Sequence, residues 1–163
     1  MMLDFGEAVR QFYKNYTNPD GRAQRSAFWW VKLYEVILIC VCAIVVLMAD
    51  GGSGFIEQIT RVVDFEEVTI LWADLGSSGK FAVIAVFAFS LVNFLPGIML
   101  NIRRFHDLDR SGWFVLGFFL IGSFPVIGTL ASLGNLVWFS MPGTAGSNRY
   151  GADPLGNNND TFG

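Results

Sequence analysis

The sequence predicts an all-α, polytopic integral membrane protein with three transmembrane helices, the third long and kinked or re-entrant, and short interfacial helices beside them. Three observations carry this. Only 15% of the 163 residues are charged and 53% are hydrophobic, whereas a soluble domain carries about 25% charge, so lipid is the expected solvent for the missing polar surface. Apolar runs near the ~20 residues that a ~30 Å hydrocarbon core requires fall at about 27–49, 81–102 and 113–141. Polar segments separate them, and the whole reads as a single membrane domain, 1–163, with an acidic extramembrane loop at 50–80 and an irregular tail at 142–163.

The first 26 residues mix Arg10, Lys14, Arg22 and Arg25 with Asp4, Glu7 and Asp20. They lack the apolar core and small-residue cleavage site of a signal peptide, so the N-terminus is expected to be retained. Phe5, Val9, Phe12, Tyr13 and Tyr16 recur at spacings of three and four. That period predicts a short amphipathic helix lying on the bilayer or on the rest of the protein. Asn18-Pro19-Asp20-Gly21 then reads as a turn.

The first span, Ala27 to Ala49, has 23 residues, or roughly 34 Å of helix. Starting it after Glu35 would leave only 14, too few to cross. Glu35 is therefore expected at or below the interface. Lys32 can snorkel to the headgroups, but the shorter Glu35 needs a partner, a water pocket or a bound proton. An intramembrane pair of Lys32 with Glu35 is the expectation, with Arg103 or Arg104 as the alternative cation.

The loop that follows holds Asp50, Glu57, Asp64, Glu66, Glu67 and Asp74 against Arg61 and Lys80. Gly51 to Gly54 open it, and Ile56, Ile59, Val63, Val68, Leu71, Trp72 and Leu75 predict one or two short interfacial helices. The second span, Phe81 to Ile102, has no charge. Pro96-Gly97 removes a backbone hydrogen bond and is expected to kink it. Arg103 to Gly112, reading RRFHDLDRSG, is the densest polar segment. Trp113 to Met141 is 29 uncharged residues, roughly 43 Å of helix. One long kinked span is the first expectation, and a re-entrant hairpin broken near Pro125 the second.

Lysine and arginine counts set the expected orientation. The N-terminal region and the Arg103 to Gly112 segment hold four and three basic residues, and the acidic loop and tail hold two and one. The positive-inside rule places the seven, and with them the N-terminus, in the cytoplasm. The side of the tail stays open, because it depends on whether the segment around Pro125 crosses or turns back.

Three fragments together resemble a known family. Gly21-Arg22-Ala23-Gln24-Arg25-Ser26-Ala27-Phe28-Trp29-Trp30, then Arg103 through Trp113, then Asn148-Arg149-Tyr150-Gly151-Ala152-Asp153-Pro154 are similar to the DUF805 family of small bacterial inner-membrane proteins. The resemblance covers roughly residues 5 to 155, and the long acidic loop departs from the shorter members. It implies a multi-pass protein of the bacterial inner membrane and no particular chemistry.

Cys40 and Cys42 stand two apart in an apolar run, and His106 is the only histidine. Neither a disulfide nor a multi-histidine metal site is expected, and no cofactor is implied. Arg22, Arg25, Arg103, Arg104, His106, Asp107 and Arg110 form a polar cluster or lipid-headgroup contact in the sharper reading. In the plainer one they anchor helices at the cytoplasmic face, neutralised by Asp107 and Asp109. Gly117, Gly122 and Gly128 predict close helix approach. The expected function is that of a non-enzymatic accessory or scaffold subunit that meets membrane lipids and other integral membrane proteins, or its own copies, and no nucleic acid. A small oligomeric transporter or channel-like protein is one alternative, and an anionic-lipid sensor the other.

Overall fold

The computed structural model describes residues 2–49 and 77–156. Five α-helices occur there: α1 Phe5–Lys14, α2 Arg25–Ala49, α3 Ser77–Asp107, α4 Phe114–Gly122 and α5 Pro125–Ser140. No strand is present among the described residues. The interfacial helices expected between Asp50 and Leu75 lie outside them.

Two helices contain segments long and apolar enough to cross a bilayer, Arg25–Val45 and Val83–Asp107, and only 11% and 17% of these segments are buried within the protein. The core helix of a soluble protein would be mostly buried, so these helices keep their apolar surface for another solvent. The chain divides into two compact units, Met1–Tyr34 with Phe94–Gly163, and Glu35–Asn93. The second consists of the later part of α2 and the early part of α3 among its described residues, and exposes Val36, Ile37, Ile39, Val41, Ile44, Phe81, Ile84, Phe87 and Leu91.

The first unit holds the core. Asp4 caps α1 by accepting from the Glu7 N–H at 2.8 Å. Hydrogen bonds from Arg10 and Gln11 hold the half-buried Glu7 carboxyl down to about 2. The apolar stripe of α1 faces protein: Ala8 and Phe12 are buried, the Tyr13 and Tyr34 hydroxyls share a hydrogen bond of 2.6 Å, and Trp30 donates to the Leu3 carbonyl. Of the two surfaces that the periodicity allowed this helix, it uses the rest of the chain. Phe12, Ala23, Phe28, Val31, Leu100, Phe105 and Phe139 form one buried cluster.

Helix α3 continues past the expected end of the second span at Ile102. Arg103 to Asp107 are its last turns, so the connecting loop begins at Leu108. The helix stops because Asp109 adopts φ 54°. This lets the Arg110 N–H reach the Phe105 carbonyl at 2.8 Å and the Asp109 N–H reach that of His106 at 3.0 Å, a Schellman closure with aspartate in the left-handed position usually held by glycine. Pro96 lies inside α3, which is helical on both sides of it.

The 29-residue apolar stretch is not one helix. It breaks at Ser123-Phe124 into α4 and α5. Pro125 supplies no N–H and opens α5 at its first turn. A Cβ on Gly128 would stand 2.7 Å from the Gly122 carbonyl oxygen, so this turn requires glycine there. By contrast, a Cβ on Gly117 would meet nothing within 4 Å. Phe114 at the start of α4 and Phe139 at the end of α5 both pack on Phe105, with ring centroids 5.6 and 4.7 Å away. The pair is therefore a helical hairpin whose two ends meet at the same residue of α3.

Candidate functional site

The last turns of α3, the Gly21–Ser26 segment and the tail after α5 form one polar assembly within the first unit. Its centre is Asp107. Arg22 donates through Nε to Asp107 Oδ1 at 3.0 Å, and Arg104 donates through Nη1 to Oδ2. The exposures of these side chains are 1% for Arg22, 0% for Arg104 and 4% for Asp107. Two buried cations share one buried carboxylate.

Backbone carbonyls take the remaining donors. Arg104 Nε and Nη2 donate to the Phe139 carbonyl at 3.1 and 2.8 Å, Nη2 also to that of Met141, and Nη1 to that of Ala23 at 3.5 Å. All five Arg104 N–H groups thus have an acceptor, the Phe139 carbonyl serving two of them, and three of the four acceptors lie in other segments. Arg22 donates in addition to Thr144 at 2.5 Å and Gly146 at 2.6 Å. The Asp107 carbonyl accepts from the Thr144 backbone at 2.8 Å and from its hydroxyl at 3.0 Å. This geometry is a clamp that joins the α2 entry, the α3 exit and the tail.

The tail completes it. Asn148 donates to the His106 carbonyl at 2.9 Å, and the Tyr150 ring stacks on the His106 imidazole at 3.8 Å with planes 4° apart. The His106 Nδ1 lies 3.2 Å from the Gly21 carbonyl oxygen. Asp153 folds the tail on itself, accepting from the backbone N–H groups of Leu155 and Gly146. These donors hold its carboxyl below the usual carboxylate range. A lowered native value makes this tie present at neutral pH and lost as the pH falls through that lowered value.

The other expected cluster residues are placed differently. Arg25 is exposed and donates to the Ser140 carbonyl at 3.3 Å. Arg110 is exposed. Asp109 sits outside the clamp in an exposed pair with Arg149 at 3.1 Å. Arg103 is 7% exposed, and its Nε turns back to the Met99 carbonyl of its own helix at 3.4 Å. Lys32 lies over the Phe28 ring, 5.5 Å from its centroid.

Sequence reasoning missed the carbonyls of Ala23, Phe139, Met141, Thr144 and Gly146, because a carbonyl carries no residue-type signal. It also missed Gly143. A Cβ there would collide with the Asp107 carboxylate, which two arginines hold in place. Gly143→Ala is expected to lower stability by about 1–3 kcal/mol through overpacking. Thermal melting in detergent checks this, with Gly134→Ala, where a Cβ meets nothing within 4 Å, expected to be near neutral.

With this geometry described, comparison with known proteins decides the family. The family described as "Protein of unknown function (DUF805)" matches residues 16–152. The chain belongs to the DUF805 family. It is 32% identical over 141 residues to inner membrane protein YhaI of Escherichia coli strain K12, covering 86% of this chain and 89% of that one. It is 30% identical over 141 residues to inner membrane protein YhaH of the same strain, covering 86% and 90%. No solved structure matches the chain significantly. The DUF805 match takes in every residue of the clamp from Arg22 to Tyr150, whereas α1 precedes it. Apolar spans and inner-membrane relatives together make this a membrane protein.

Proposed function

We propose that this DUF805 protein is a non-enzymatic accessory or scaffold subunit of the bacterial inner membrane, binding other integral membrane proteins through its apolar helix faces. The observation that carries this reading is that its buried arginine clamp is saturated from within. The donors of Arg104 go to Asp107 and to carbonyls of the same chain, so the most elaborate polar constellation holds the fold together. What the hairpin presents outward is apolar: Leu120, Phe124, Val126, Ile127, Leu130, Leu133 and Val137 are all exposed. Photo-crosslinkers at Val126 and Ile127 in native membranes are expected to give discrete heteromeric products, with none from the buried Phe139. Products limited to lipid or to the monomer, or ion flux in liposomes holding this protein alone, would overturn the reading.

The topology that goes with it has two full crossings, by α2 and α3, and a re-entrant α4–α5 hairpin. Nine residues of α4 and 16 of α5 make roughly 13 and 24 Å of helix, short of a ~30 Å core. The tail then returns to the cytoplasmic face, where basic residues number eight, with the two of the acidic loop opposite. Single cysteines at Ser53, Ser111 and Ser147, in a chain with Cys40 and Cys42 replaced, test this. Ser111 and Ser147 are expected to react from the cytoplasmic side and Ser53 from the other. Reaction of Ser147 together with Ser53 would overturn the hairpin topology.

A further inference from the structure

Beside the saturated clamp lies a group of polar atoms with no partner among the described residues. Arg103 Nη2, both amide atoms of Gln24 and the Ser26 hydroxyl are buried without a hydrogen-bond partner. Gln24 is 2% and Arg103 7% exposed. The sites are neighbours along the backbone contact that joins the segments: the Ala23 N–H donates to the Arg103 carbonyl at 3.0 Å. Gln24 immediately precedes α2, and Ser26 lies in its first turn. Orphaned buried donors are rare, and an uncompensated buried guanidinium is rarer still.

The charge arithmetic is specific to Arg103. Asp107 is already shared by Arg22 and Arg104, Asp109 faces Arg149, and Arg103 has no carboxylate partner among the described residues. The positive end of a 25-residue helix adds to its field. Ser26 is only half-buried and Arg25 is exposed, so this corner borders the surface at the charged end of a membrane helix.

We infer that Arg103, Gln24 and Ser26, at the N-terminus of α2, form a binding site for one phosphate group that carries a hydrogen-bond donor. The phosphate oxygens accept from the Arg103 guanidinium, the Gln24 amide nitrogen and the Ser26 hydroxyl. The donor on the same molecule, a headgroup hydroxyl or a P–OH, meets the Gln24 Oε1. This goes beyond the scaffold reading and does not depend on it. It also moves the anion contact away from Arg22 and Arg104, whose guanidinium groups are engaged with Asp107 and backbone carbonyls.

The test uses the full-length protein, delipidated in a phosphate-free detergent. Palmitoyl-oleoyl phosphatidylglycerol is titrated and counted by native mass spectrometry, against the diacylglycerol of the same chains. In a second arm, inorganic phosphate is compared with chloride by thermal melting. The wild type is expected to take one phosphatidylglycerol at least about tenfold more tightly than the diacylglycerol, the loss that removing a charge-assisted hydrogen bond brings. Arg103→Gln is expected to abolish that preference, Ser26→Ala to reduce it, and Arg110→Gln, at an exposed position, to leave it intact. Stabilisation by inorganic phosphate without a phosphatidylglycerol preference would assign the same site to the free ion. Neither effect in the wild type, or equal effects in the wild type, Arg103→Gln and Ser26→Ala, would overturn the proposal. Ser26→Ala removes one exchangeable hydroxyl, so it decides the matter even if Arg103→Gln fails to fold.

Discussion

Asp107→Ala is expected to destabilise the protein by about 3–5 kcal/mol, because it leaves two buried guanidinium groups without their counter-charge. Arg104 keeps its bonds to the Phe139, Met141 and Ala23 carbonyls, but neutral acceptors do not cancel a charge in a poorly solvated place. Thermal melting in a mild detergent measures the loss. A double-mutant cycle with Arg104→Met is expected to show coupling of at least about 1 kcal/mol. Strictly additive effects would mean that the Asp107–Arg104 contact contributes nothing of its own. Asp109→Ala is the internal control. Its pair with Arg149 has side chains 47% and 61% exposed, and a screened surface pair is worth at most about 1 kcal/mol.

Phe105→Ala is expected to cost a similar amount, about 3–5 kcal/mol, through packing instead of charge. The ring is 1% exposed and touches Phe139, Phe114, Trp138 and Phe118 with centroids 4.7 to 5.9 Å away. Those partners come from both arms of the hairpin, so removing the ring should loosen α4 and α5 from α3 together. The expected signature is a lowered melting temperature accompanied by faster thiol labelling at Ser147→Cys in the tail. Phe119→Ala removes a ring of the same size from the same hairpin, but at 61% exposure. It is expected to change stability by less than about 0.5 kcal/mol, and a loss equal to that of Phe105→Ala would contradict the packing argument.

Much of this protein was legible along the chain because membrane insertion acts on contiguous sequence. The shortage of charge and the uncharged run from Phe81 to Ile102 specify lipid-facing helices whatever their neighbours do, since a backbone in hydrocarbon must satisfy its own hydrogen bonds. The helical period of Phe5, Val9 and Phe12 likewise predicted α1. Periodicity shows that a face is apolar, but what that face buries against is decided by the partner, and Phe12 turned to the protein core.

The gathering of Arg22, Arg104 and Asp107 was expected from the charges at two helix ends. How that charge is divided was not. Arg103 and Arg104 are adjacent and of one type, yet helical rotation of ~100° per residue aims one at Asp107 and the tail carbonyls and leaves Nη2 of the other without a partner. The left-handed Asp109 and the glycine that the Asp107 carboxylate demands at 143 were beyond a reading of residue types. The first depends on how the end of α3 closes on its own carbonyls, the second on a carboxylate meeting a backbone 36 residues further along the chain. Residue types and periods settled the solvent of the chain, its all-helical class and the end at which its charges gather. Only packing decided which of those charges are paired, because pairing is a matter of ångströms between residues far apart in sequence.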